Sequence, residues 1–101
     1  MQSPAVTPKA EELRLEREAA WVGDAVLALF ARQFVLRERG FMDGEWFTRL
    51  TSNDFLSAFG NPTRVEAGIG KLYREQGIDA AFTWMDAELL PLFRKQSAKR
   101  G

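Results

Sequence analysis

Two carboxylates sit where carboxylates are costly. Asp24 is the single charged residue in the stretch AAWVGDAVLALFA, residues 19–31. Glu66 lies between Val65 and Ala67 in PTRVEAGIGKLY, with Gly68 and Gly70 following. Each glycine inside a helix costs about 1 kcal/mol relative to alanine, so Gly23, Gly68 and Gly70 suggest helix backbones in close approach. Two helices crossing at these glycines would bring Asp24 and Glu66 together. Facing carboxylates either share a proton or hold a cation. A lone acid in an apolar helix can instead pair with an arginine or bond to a helix cap. Arg17, Arg49 and Arg64 are the candidate partners for that simpler arrangement.

The rest of the composition narrows the chemistry. The 101 residues contain neither cysteine nor histidine. Disulfides, thiolate or histidine zinc sites, and Ser-His or Cys-His nucleophiles are therefore excluded. Carboxylates with a hard ion such as Mg²⁺ or Mn²⁺ remain the natural catalytic tools. Fourteen basic and fourteen acidic residues balance, so the chain as a whole is not a polycation, although its basic residues cluster unevenly. The C-terminal stretch RKQSAKRG is one such cluster. An apolar content of 46% suits a single small globular domain. There is no run of eighteen apolar residues and no basic region followed by an apolar stretch at the N-terminus. Neither a membrane partner nor a secretory signal is expected, and a cytoplasmic setting follows.

The elements that must position the two acids read as helices. Thr7-Pro8 signals a helix start, and the helix runs to about Arg39 before Gly40. Its first turns are charged and its middle is apolar nearly all round, as in a helix entering the centre of a domain or dimer. Asp43 can cap a helix through Leu50. Thr51 or Ser52 can cap another ending at Phe59-Gly60. Asn61-Pro62 opens a helix to Gln76-Gly77. Asp79 can cap a last one to about Leu90, with Pro91 ending or kinking it. The expected fold is all-α, about five helices with short loops. Residues 1–9 are expected to be a flexible N-terminus, 10–93 the domain and 94–101 a basic C-terminal tail.

These residues resemble the ribonuclease III catalytic domain. Trp21, Val22, Gly23, Asp24, Ala25, Val26 and Leu27 match that family's signature helix in order. Thr48, Arg49, Leu50, Ser52, Asn53 and Leu56 fit its next stretch. Glu66, Ala67, Ile69, Gly70, Tyr73 and Gly77 fit its second acidic motif, and IDAAFTWMDAELLPL is similar to its closing helix. The resemblance spans about residues 17–93. It departs at two of the family's four acids, where Ala20 and Thr63 stand. That two-acid pattern resembles the Mini-ribonuclease III branch, which lacks a double-stranded-RNA-binding domain. The segment between Asn53 and Glu66 is shorter than in either branch.

The resemblance implies a ribonuclease III-like helical endonuclease domain that cleaves double-stranded RNA in RNA processing, including rRNA processing. Asp24 and Glu66 would be the catalytic and metal-holding residues, with Mg²⁺ or Mn²⁺ as the ion. Asn53 and Thr63 would support them from behind. Arg49, Arg64 and Lys71 would meet RNA phosphates. The family's homodimer would place Trp21, Leu29 and Phe30 at the interface, although the same three side chains also suit a monomer core. The alternative is a ribonuclease III-like module that no longer cuts and serves to bind RNA or to dimerise.

Overall fold

The computed structural model describes residues 7–100. The described residues are 89% helical, with no strand among them. Helix α1 spans Pro8–Arg39, α2 Gly44–Thr51, α3 Asn53–Leu56, α4 Pro62–Gln76, α5 Ile78–Glu88 and α6 Leu90–Arg100; a 3₁₀ turn, Ser57–Phe59, follows α3. The all-α expectation holds, with one helix more than the sequence suggested.

Local capping explains most boundaries. The Thr7 hydroxyl accepts from the Ala10 N–H, with Pro8 in the first turn, and Gly40 closes α1 in the left-handed conformation at φ 77°. Asp43 accepts from Trp46 N–H, Ser52 from Phe55 N–H and Asn61 from Arg64 N–H, starting α2, α3 and α4 as their sequence predicts. Asp79 does not cap α5. Gly77 stands at the cap position without a side-chain bond, and Asp79 falls in the first turn, where its charge still favours the helix N-terminus.

Helices reach past both limits expected for the domain. Thr7, Pro8 and Lys9 belong to the start of α1 and not to a flexible N-terminus; residues 1–6 of that expectation lie outside the described residues. Pro91 does not end the helical region. It sits in the first turn of α6, where a missing N–H costs nothing, so the expected tail at 94–101 is helical through Arg100. Phe93 on α6 is fully buried and meets Phe34 at 5.8 Å, Trp46 at 5.2 Å and Phe55 at 5.7 Å between ring centroids, all edge-on. These contacts fasten the end of the chain to α1, α2 and α3.

Helix α1 is the spine, about 48 Å long at 1.5 Å per residue. It packs chiefly along α4, with α2 and α5 beside it and α6 against α5. It is not buried on all sides. Ala20, Gly23, Leu27, Phe30 and Phe34 form an inward stripe at three- and four-residue spacing, widened by Val26, Ala31 and Val35. The opposite side leaves Trp21 81% and Leu29 45% exposed. By length and composition α1 could also cross a membrane, a test that the central helix of a helical domain passes equally; 44% of its most apolar window is buried inside the fold.

Candidate functional site

The acid pair is built by a helix crossing that only glycine permits. A Cβ placed on Gly23 would lie 1.7 Å from the Glu66 carbonyl oxygen, and one on Gly70 would lie 1.9 Å from the Ala19 carbonyl oxygen. No real Cβ tolerates such distances, so α1 and α4 touch backbone to backbone here. Gly68 plays no part in the crossing, since a Cβ there would meet nothing within 4 Å. Asp24 follows Gly23 on α1, and Glu66 itself supplies the carbonyl that Gly23 faces. The crossing therefore sets both carboxyls side by side.

Their environments differ. Asp24 is exposed, although the apolar run around it suits a helix at the centre of a domain or dimer, while Glu66 is half-buried. Burial first, and then the hydrogen bond and negative charge of Asp24, push the Glu66 carboxyl up to about 7. A carboxyl that shares a site with a like charge and has lost water holds its proton, and a cation that replaces the proton relieves the same strain. Among the described residues no Lys or Arg lies within ion-pair distance of either acid. Arg64 instead reaches Glu16 at 3.9 Å, and Arg49 donates to Ser97 at 3.0 Å. The arginine-paired arrangement is thus not the one adopted.

An open groove of about 500 Å³ runs beside Asp24, walled by Trp21, Ala25, Leu29, Tyr73 and Ile78. It is mostly apolar, so a ligand entering it would meet one carboxylate on a largely hydrophobic wall. Tyr73, two turns after Glu66 on α4, is a wall residue with no site role in the sequence reading.

The remaining candidates fall elsewhere. Asn53 and Thr63 are exposed, and neither hydrogen-bonds to Asp24 or Glu66. Thr63 precedes Glu66 by three residues and so shares its helix face. Arg64 and Lys71 line a different groove of about 670 Å³, joined by Arg74, in whose wall neither acid appears. Arg49 is half-buried against α6, its guanidinium 5.2 Å from the Phe93 ring. Phe30 is 3% exposed and meets Phe82 edge-on at 5.3 Å, so it belongs to the core and is not available to a partner. Trp21 and Leu29 are available.

No family model, curated protein or solved structure matches the chain. The site must therefore be judged on its own chemistry. Among the described residues no group of three or more potential metal ligands gathers anywhere. Two carboxylates suit an ion that keeps most of its own water. Mg²⁺ does so, commonly taking one or two carboxylates and leaving its other positions to water and substrate phosphate. The exposure of Asp24 leaves room for that water. The pair is a poor cage for Ca²⁺, which takes six to eight oxygens, and without nitrogen or sulfur it is a poor zinc site.

Proposed function

We propose that the chain is a metal-dependent endoribonuclease of the ribonuclease III type, cleaving double-stranded RNA in RNA processing, with Asp24 and Glu66 as the pair that holds Mg²⁺ or Mn²⁺. One observation carries this reading: the Gly23–Gly70 crossing sets two carboxyls together with no cationic side chain among the described residues to neutralise them, and Glu66 is pushed up to about 7. The ordered motifs around Trp21–Leu27, Thr48–Leu56 and Glu66–Gly77 point to the same chemistry by resemblance. The ion would neutralise charge on the scissile phosphate and activate a water. The chain's own residues orient that event. Asp24 presents an open, hydrated carboxylate; Glu66 presents a partly desolvated one, fixed by its helix backbone against Gly23. Tyr73 and Trp21 bound the approach on either side.

A homodimer in a cytoplasmic setting completes the proposal. Trp21, Ala25, Leu29 and Leu36 are exposed along one side of α1, interrupted by Arg32, and the first three lie near Asp24. A two-fold pairing of α1 with itself would cover these residues and leave an acid pair on each side of them.

The second reading is a ribonuclease III-like module that binds RNA or dimerises without cutting. It is favoured by the count of acids, since among the described residues no third carboxylate joins Asp24 and Glu66. An assay separates the two. Purified protein incubated with end-labelled duplex RNA and millimolar Mg²⁺ is expected to cut it, and Asp24→Asn to cut at least about a hundredfold more slowly, as when a metal loses a ligand. Duplex left intact by the wild type with both Mg²⁺ and Mn²⁺ would establish the module reading.

A further inference from the structure

The chain has no net charge, but its charges are unevenly placed. Residues 32–51 and α6 carry eight of the fourteen basic side chains and three of the fourteen acidic ones. The fold brings these segments together, through Phe93 on Phe34 and Trp46, Arg94 to Glu38 at 2.6 Å, and Arg49 to Ser97. One end of the molecule is thus strongly basic, while the end with the acid pair is acidic.

Within that basic end lies a small cavity of about 320 Å³ whose wall includes Arg39, Arg49 and Arg100, from α1, α2 and α6, together with Ser97. Two of the three guanidiniums are held in place. Arg49 lies over the Phe93 ring at 5.2 Å, with one N–H on the Ser97 hydroxyl. Arg39 lies over Trp46 at 4.8 Å, with its Nε–H on Asp43 at 3.1 Å. Free arginine side chains lose much rotamer entropy when a ligand fixes them; here ring stacking and neighbours have already fixed them. Asp43 and Glu45 also touch the cavity. Asp43 divides its oxygens between the Trp46 N–H that caps α2 and Arg39. Among the described residues no carboxylate comes within ion-pair distance of Arg49 or Arg100. Each guanidinium has five donors in a planar fork, and the bonds above use one on each of Arg39 and Arg49. The unspent donors match the oxygens of a phosphate group.

We propose that this cavity binds a phosphate group, with Arg49 and Arg39 as the pre-set forks, Arg100 as the exposed third cation and Ser97 as the residue that positions Arg49. Its place is about 22 Å from the acid pair, taking the fifteen residues from Asp24 to Arg39 at 1.5 Å each. The phosphate comes from a nucleic-acid backbone or from a free phosphate anion. The first source rests on the RNA reading above; the second does not. For a nucleic acid, the other basic side chains of this end, among them Arg37, Lys95 and Lys99, favour a polyanion in general but do not line the cavity.

Two measurements on the intact protein test the proposal. In the first, fluorescence anisotropy follows a labelled RNA duplex over a salt series without divalent ions. Each lost phosphate contact lowers the slope of log affinity against log salt by about one. Arg49→Gln/Arg100→Gln is therefore expected to lower it by about two and to weaken binding about tenfold at low salt. Arg100→Gln alone, on an exposed side chain that cannot threaten the fold, is expected to lower it by about one. The control Lys9→Gln/Arg17→Gln removes the same charge at the acidic end and is expected to shift the slope less. In the second measurement, NMR signals of the arginine Nε–H groups are followed during titration with inorganic phosphate against sodium chloride of equal ionic strength. Saturable shifts at Arg39 and Arg49, lost in Arg49→Gln, are expected. RNA binding with slopes unchanged by either variant overturns the nucleic-acid source while leaving the nuclease reading intact. Phosphate shifts without RNA binding support the site with a free anion as its ligand, and count against the RNA reading. No arginine shift together with unchanged slopes overturns the site altogether.

Discussion

Glu66 is where local electrostatics bears most directly on function. Its carboxyl ionises near 4.5 in an unfolded chain and is pushed up to about 7 in the folded one, by burial first and Asp24 second. Below about pH 4.5 both states hold the proton. From there to about pH 7 only the folded chain does, so stability declines as pH rises, and the loss is complete above 7. The predicted outcome is a difference in urea midpoint between wild type and Glu66→Gln that grows in favour of the variant across that window and is flat on either side. If Mg²⁺ is held by the ionised pair as proposed, it is expected to restore wild-type stability at pH 8, to do little at pH 4.5 and to leave Glu66→Gln unaffected. The isolated charge in an apolar run marked Asp24, and the flanking glycines marked Glu66. Less legible was how each acid meets water. Asp24 is exposed because the apolar run around it faces outward as well as inward, a distinction that residue type alone does not carry. Asn53 matched a motif and Thr63 stands where the resemblance would put an acid, but the fold joins neither to the carboxyls by a hydrogen bond.

Among the elements, the α1–α4 crossing governs the site. Gly23→Ala would drive a Cβ into the Glu66 carbonyl. Backbone on both sides leaves no side chain to give way, so a loss of at least about 3 kcal/mol in unfolding free energy is expected. Gly68→Ala, two residues past Glu66, faces open space and should stabilise by up to about 1 kcal/mol through helix propensity. Chemical denaturation of the two variants reads this opposition directly; equal effects would mean that the helices do not cross as described. Helix starts were the most legible part of the fold, because Thr7, Asp43, Ser52 and Asn61 act within three residues of themselves. The tertiary consequences were less so. Pro91 read as a stop although it opens α6, because a proline suits the first turn of a helix as well as the space after one. Asp79 read as a cap because its type fits, but Gly77 takes that position in an unusual backbone conformation, with φ 95°. The apolar middle of α1 concealed its inner face, since nearly every position there is hydrophobic and the period vanishes. Only the packed structure separates Phe30, in the core, from Trp21 and Leu29, outside it.

At the scale of the whole molecule, Trp21 at 81% exposure and Leu29 at 45% demand a partner more than anything else on the surface near the acids. The expected partner is a second copy. Light scattering at micromolar concentration should give twice the chain mass, and Trp21→Glu should give the single-chain mass with an unchanged helical spectrum. A wild-type monomer would remove the dimer from the proposal. The central claim is that the acid pair cuts RNA, and the most direct measurement of it is Glu66→Gln in parallel binding and cleavage assays. Removing one of two charges should leave the ion poorly held, so single-turnover cleavage of a labelled duplex in Mg²⁺ should be abolished. Binding of the uncut duplex should persist or tighten, because one acid fewer repels phosphate when the metal is absent. Cleavage by Glu66→Gln at the wild-type rate would contradict the claim.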